Sequence, residues 1–205
     1  MTENIRRTIE YIKEKFQPES KDSKFVYRYE HSLRVAAIGE QIAKEEGLNE
    51  EALTIACLLH DIGYIECFSD EDYDYHGRIS ERIAREFLES IAFDKEWIDT
   101  ICYGIRIHTE EPEKRPTVFE ESIADADNID RFDAFRLYEG LRLQSIENMS
   151  SIEIIEFANA RIERLTRNLS HKNVTMTATK MWQDKITYQI DYFKRLKSQM
   201  ELHIE

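Results

Sequence analysis

Apolar residues recur along this chain at steps of three and four, and no stretch alternates apolar with polar long enough to demand a sheet. A stripe of that period buries its apolar face as a helix, so the fold class expected is all-α. The punctuation agrees, since 6 Gly and 3 Pro in 205 residues leave little for a turn-rich β sandwich. Ile5, Ile9, Ile12 and Phe16 mark a first helix that stops before Pro18. A second runs from about Phe25 through Tyr27, His31, Val35, Ile38 and Ile42 to a C-terminal cap at Gly47. Asn49 can cap a third, whose Ala52, Ile55, Ala56 and Leu59 lead straight into His60 and Asp61, with Gly63 permitting the exit turn. The acidic, aromatic stretch from Glu66 to Tyr75 reads as a loop. A fourth helix carries His76, Ile79, Ile83 and Phe87, and a fifth, capped by Asp94, carries Trp97, Ile101, Ile105 and His108. Thr109 to Pro116 is a charged connection. Helical spacing resumes at Phe119, Ile123, Ala126 and Asp127, and a long helix from about Thr175 to Leu202 ends the pattern.

Length favours one domain over residues 1–205, with a motif-bearing core at about 24–145 and C-terminal helices at about 150–203 packing on it. The formal charge of −13, with no run of Lys or Arg beyond two, argues against broad nucleic-acid coating but leaves room for a local cationic pocket. The N-terminal MTENIRRTIEYIKEKF has no apolar core of the kind a signal peptide or anchor needs. The longest strictly apolar run, Ile55 to Leu59, is far short of a membrane span. Three cysteines without CxxC spacing suit a reducing cytoplasm, with Cys57 and Cys102 as small buried hydrophobes.

Chemistry concentrates in a few polar residues placed where hydrophobes belong. The apolar IACLL stripe should carry His60 and Asp61 into the core, where an ionised carboxylate is costly unless something positive compensates it. A divalent cation would do so, and helical bundles build open metal sites from His and carboxylate ligands on several helices. His31 lies on the inner face of helix two, and Asp127 follows Ile123, Ala124 and Ala126. A satisfied buried polar network is the alternative for these four.

These segments together resemble a known family. His31-Ser-Leu-Arg34-Val35, the stretch Ala56-Cys-Leu-Leu-His60-Asp61-Ile-Gly63 and the distant Ala126-Asp127-Asn-Ile-Asp130 are similar to the HD-domain metal-dependent phosphohydrolase superfamily. The resemblance covers roughly Tyr27 to Arg142, and a looser likeness continues through Asn173-Val-Thr175 into the last helix. It implies a single-domain, bacterial-type HD helical bundle with a metal site in its core, ligated by His31, His60, Asp61 and Asp127. In members with two metals, His76 and His108 fall at the matching places and Asp61 would bridge. The expected cofactor is a divalent transition metal, Mn, Fe, Co, Ni or Zn, with one ion or two.

The resemblance implies hydrolysis of a phosphate ester or anhydride in a small molecule, a nucleotide first, with metal-activated water as nucleophile. No GxSxG or P-loop pattern competes with that reading. Asp61, Arg34 and Asp130 are the catalytic candidates. Arg34, three residues after His31, either orients substrate phosphate or pairs with an acid; Asp130, one turn after Asp127, would orient a ligand or Arg131. His76 and His108 stand as second-metal ligands, as general acids, as substrate contacts or as plain helix-terminal histidines. Members with Lys after Ile-Gly set it near the phosphate, whereas Tyr64 stands here, without that charge but still able to hydrogen-bond. Arg78, Arg82 and Arg85 read as a solvated face, Asp70 to Asp74 as a solvated stretch that can act as a lid, and His171 and His203 as surface residues. Two other functions fit the same residues: an HD-type di-iron oxygenase and a non-catalytic metal- or nucleotide-binding sensor. Self-association through the last helix is compatible with the pattern.

Overall fold

The computed structural model describes residues 1–20 and 25–202; His203, expected at the surface, lies outside them. Among the described residues the regular structure is helical throughout, without a strand. The chain forms two compact units, residues 1–128 and 129–205.

Unit 1 is built around α3 (Glu50–Leu59), whose residues from Ala52 to Leu59 are all buried. A helix apolar on every side has to be surrounded. Here α1 (Glu3–Phe16), α2 (Val26–Glu46) and α6 (Lys95–Ile107) pack around it. The caps follow the sequence: Asn49 accepts the Ala52 N–H, Asp94 accepts from Glu96, and Gly47 closes α2 at φ 68°. The thiols of Cys57 and Cys102 are pushed up by burial, so both act as small apolar fillers.

Glu66 to Tyr75 is not the irregular loop expected. A 3-10 helix covers Ile62–Glu66, and a short α4 covers Asp70–Asp74. Ser69 and Asp72 form a capping box, and three acids occupy the first turn, where the helix dipole favours them. Gly63 also serves differently from the expectation. Its φ is not positive; a Cβ there would lie 2.5 Å from the His76 carbonyl oxygen and 2.7 Å from the Ser80 nitrogen. Glycine is needed because α5 (His76–Ser90) packs directly on it, with the Gly63 N–H donating to Ser80 Oγ at 2.8 Å. Gly77 does the same between α5 and α6, where a Cβ would strike Thr109 Oγ1 and approach the Arg106 carbonyl to 2.7 Å. The seventh helix, α7, spans Val118–Asp130.

Unit 2 takes in α8 (Ala134–Leu143), a 3-10 turn at Ile146–Asn148, α9 (Ser151–Asn168) and α10 (Met176–Met200). The last two pack along each other, pinned by the Trp182 indole N–H donating to the Asn168 carbonyl at 2.9 Å, while Thr175 caps α10. Trp182 and Phe193 are packing residues, as their spacing implies. No helix among the described residues is long and apolar enough to cross a membrane.

Candidate metal centre

The site grows from the C-terminal end of α3. Because that helix is enclosed, its end delivers His60 and Asp61 to the interior, where they are 0% and 3% exposed. The unsatisfied carbonyls there make the helix end partially negative, which favours a cation nearby. His31 arrives from the second turn of α2, Asp127 from α7, His76 from the first position of α5 and His108 from the cap of α6. The close α5–α6 contact at Gly77 sets the start of one helix beside the end of the other, with the His76 and His108 rings 5.1 Å apart.

Two groups result, each compact enough to hold an ion: His31, His60 and Asp61, and Asp61, His76 and His108. Asp61 belongs to both. Its Oδ1 lies 3.3 Å from His76 Nε2, 3.5 Å from His60 Nε2 and 3.7 Å from His108 Nε2, while Oδ2 lies 3.7 Å from His31 Nε2. Asp127 Oδ1 approaches His31 Nε2 to 3.0 Å and His60 Nε2 to 3.9 Å. Arg34 is half-buried one turn beyond His31, and Asp130 is buried at the end of α7.

The histidine tautomers can be assigned from their other nitrogens. His60 Nδ1 lies 2.7 Å from the Cys57 carbonyl, His76 Nδ1 lies 2.7 Å from the Tyr73 carbonyl, and His108 Nδ1 bonds the Ile105 carbonyl. A carbonyl only accepts, so each Nδ1 carries a proton, and in the neutral ring Nε2 then presents a lone pair. Those lone pairs are aimed at a carboxylate, an arrangement that repels unless a cation lies between. The Nε2 atoms of His60 and His108 are buried and have no hydrogen-bond partner. Backbone carbonyls that fix Nδ1–H while Nε2 stays open are the usual support of a metal-ligating histidine, so the residues fit a divalent ion. Burial lowers the His60 pKa to about 4, keeping it neutral and ligand-ready. Burial alone would raise the Asp61 carboxyl, yet the group is held well below the usual range, and the fixed positive charge beside it is the Arg28 guanidinium.

Arg28 is the residue the sequence reading passed over. It lies one turn before His31, donates to Asp61 Oδ2 at 2.7 Å, and sits 3.5 Å above the Tyr64 ring. Burial pulls its pKa down, yet the neighbouring Asp61 and Tyr64 leave it raised, so its charge is secure. Tyr64 in turn lies 4.3 Å from the His76 ring and 5.6 Å from Tyr73 of α4. One signal was available: Arg28 and Arg34 flank His31 at minus three and plus three, hence on neighbouring parts of one helical face.

Comparison with known proteins identifies the family and the fold. Residues 28–132, spanning Arg28, both halves of the cluster and Asp127, match the HD domain. The 1.45 Å crystal structure of a protein named as a predicted HD superfamily hydrolase, from an uncultured Thermotogales bacterium, superposes with a TM-score of 0.67. The two chains are 21% identical, over 95% of this chain and 91% of that one, which establishes the shared fold. None of the curated proteins matches the sequence. By the span of its match, which includes the His60-Asp61 pair, this chain belongs to the HD domain family.

Proposed function

We propose that this protein hydrolyses a phosphate ester or anhydride bond in a small phosphorylated molecule, a nucleotide in the first instance. HD domain membership supports a metal-dependent hydrolase in general. The finer reading rests on one observation: an arginine with an open fork stands at the edge of a histidine–aspartate cluster able to hold a cation. Arg28 spends one N–H on Asp61, and its side chain keeps 28% of its surface exposed, whereas the histidine and aspartate side chains around it are 10% exposed or less. An anion approaching from solvent therefore meets a guanidinium whose remaining donors match phosphate geometry.

His31, His60, Asp61 and Asp127 would hold one divalent ion, and Asp61 with His76 and His108 would hold a second. Such an ion supplies a water acidified toward neutral pH and polarises a phosphoryl oxygen. The chain's own residues do the rest. Arg28 orients the phosphate and offsets charge gathering on its oxygens, and Tyr64 holds the guanidinium plane flat beneath it. Position 64 thus keeps a role near phosphate without a cation of its own, the charge being carried by Arg28. His76 has the most accessible side chain of the four histidines.

The test is phosphate release by metal-reconstituted protein from a panel of nucleoside mono-, di- and triphosphates and sugar phosphates. Turnover that disappears in Asp61→Ala supports the proposal; no release from any member with a loaded site overturns it. A second reading, the HD-type di-iron oxygenase, is favoured by the sharing of Asp61 between two ligand groups. Protein holding two irons that consumes oxygen, with no phosphatase turnover, would make it the better one.

A further inference from the structure

Unit 2 contains a partly buried cation without an acid; Arg142, Arg164 and Arg195 also have no ion pair among the described residues, but they are exposed to solvent. In this strongly acidic chain the arginines of α5 each reach a carboxylate, and in unit 2 Arg136 and Arg167 do as well. Arg161 on α9 has no carboxylate partner among the described residues, and its Nε is buried with no hydrogen-bond acceptor. Its guanidinium carbon lies 6.0 Å from the Phe157 centroid and 5.7 Å from that of Phe193, at the outer limit of a useful cation–π contact. Burial lowers its pKa, and Arg164, a like charge one turn on, adds to the lowering.

Beside this guanidinium is a cavity of 190 Å³, walled by Leu137, Gly140, Leu141, Phe157 and Phe193, with Gln144 at its rim. A Cβ built on Gly140 would meet nothing within 4 Å, so the space extends to the backbone of α8. We propose that this cavity binds a small organic acid, a single carboxylate on a compact apolar body, with Arg161 as its counter-ion. A half-buried guanidinium with an unmet N–H destabilises its surroundings until an anion arrives, and its planar fork suits a carboxylate better than a spherical ion. The aliphatic and aromatic walls ask for an apolar body. A cavity of roughly 150 Å³ holds a benzene ring, so this one suits a ring or short branched chain plus its acid group.

Benzoate and its neutral counterpart benzamide, titrated calorimetrically into the full chain, test the assignment. One benzoate should bind per chain, with benzamide and the Arg161→Gln variant each weaker by about tenfold or more, the worth of a charge-assisted hydrogen bond. Gly140→Leu should abolish binding, because it fills the cavity while leaving Arg161 in place and improving helix propensity in α8. The double variant His60→Ala, Asp61→Ala should bind benzoate as the parent does. No saturable heat at millimolar benzoate would overturn the proposal. So would equal affinity for benzamide, unchanged binding in both cavity variants, or loss of binding in the double variant, which would move the carboxylate to the metal centre.

Discussion

The contact between Gly63 and α5 positions half of the candidate metal centre, and Gly63→Ala measures what it is worth. The added Cβ would stand 2.5 Å from the His76 carbonyl oxygen, 2.7 Å from the Ser80 nitrogen and 2.8 Å from Ser80 Oγ, where ordinary contact begins at 3.4 Å. Two of the three obstacles are backbone, so no rotamer change relieves them, and the start of α5 must retreat by about 1 Å. Forcing a carbon into a packed interface costs about 1–3 kcal/mol. The same retreat breaks the hydrogen bond from Gly63 N–H to Ser80 Oγ, now 2.8 Å, adding about 0.5–1.5 kcal/mol. The sum, roughly 1.5–4.5 kcal/mol, corresponds to a fall in Tm of about 3–18 °C for a chain of this length. Because His76 is the first residue of α5, its Nε2 also leaves the Asp61 carboxylate, and the ion held with His108 should bind about tenfold more weakly or worse. The assay is thermal unfolding of chelator-treated protein by circular dichroism, followed by metal titration. Ser80→Ala serves as the control that removes the hydrogen bond but leaves the space, and it should fall by less. A Gly63→Ala protein melting within about 1 °C of the parent would refute the packing argument.

Other outcomes follow from the same geometry. Arg28→Met should leave metal content unchanged while lowering kcat/KM for a phosphorylated substrate by about tenfold or more, checked by elemental analysis beside steady-state kinetics. Tyr64→Phe keeps the ring beneath Arg28 and should be nearly silent, whereas Tyr64→Leu forfeits about 0.5–2 kcal/mol of stacking and should lower kcat/KM by roughly two- to thirtyfold. His60 takes no proton in the folded chain until pH nears 4, while the unfolded chain binds one near 6.5, so metal-free protein should lose stability as pH falls through that window. That loss is at most about 3 kcal/mol, and His60→Gln should flatten it in denaturant titrations at pH 4.5 and 7. Metal present at 100 times its Kd adds about 2.7 kcal/mol, so chelation should lower Tm by about 5–11 °C in the parent and hardly at all in the double variant His60→Ala, Asp61→Ala.

What the sequence disclosed and what it withheld divide along a physical line. Periods, caps and the enclosed character of α3 are local properties, so Asn49, Gly47 and the apolar run ending at His60 announced their structure residue by residue. The convergence of His31, His60, Asp61 and Asp127 is legible because each breaks a hydrophobic pattern and a buried polar group needs a reason, whereas His76 and His108 are drawn in only by the family resemblance. The capping box at Ser69 and Asp72 is written in the sequence as well, inside a stretch whose density of charge reads as a loop. Arg28 was hidden for another reason. Arginine at the start of a helix breaks no pattern, and nothing in one dimension tells which end of α2 faces the carboxylate; Arg34 on the other side of His31 was an equal candidate. In the structure Tyr64 and Asp61 together hold Arg28. The 3-10 turn after Asp61 carries the Tyr64 ring under the first turn of α2, where the aromatic face and the aspartate together fix one guanidinium. A cation absent from position 64 and an arginine present at 28 are thus one arrangement, readable only after the turn at Gly63 has brought them together.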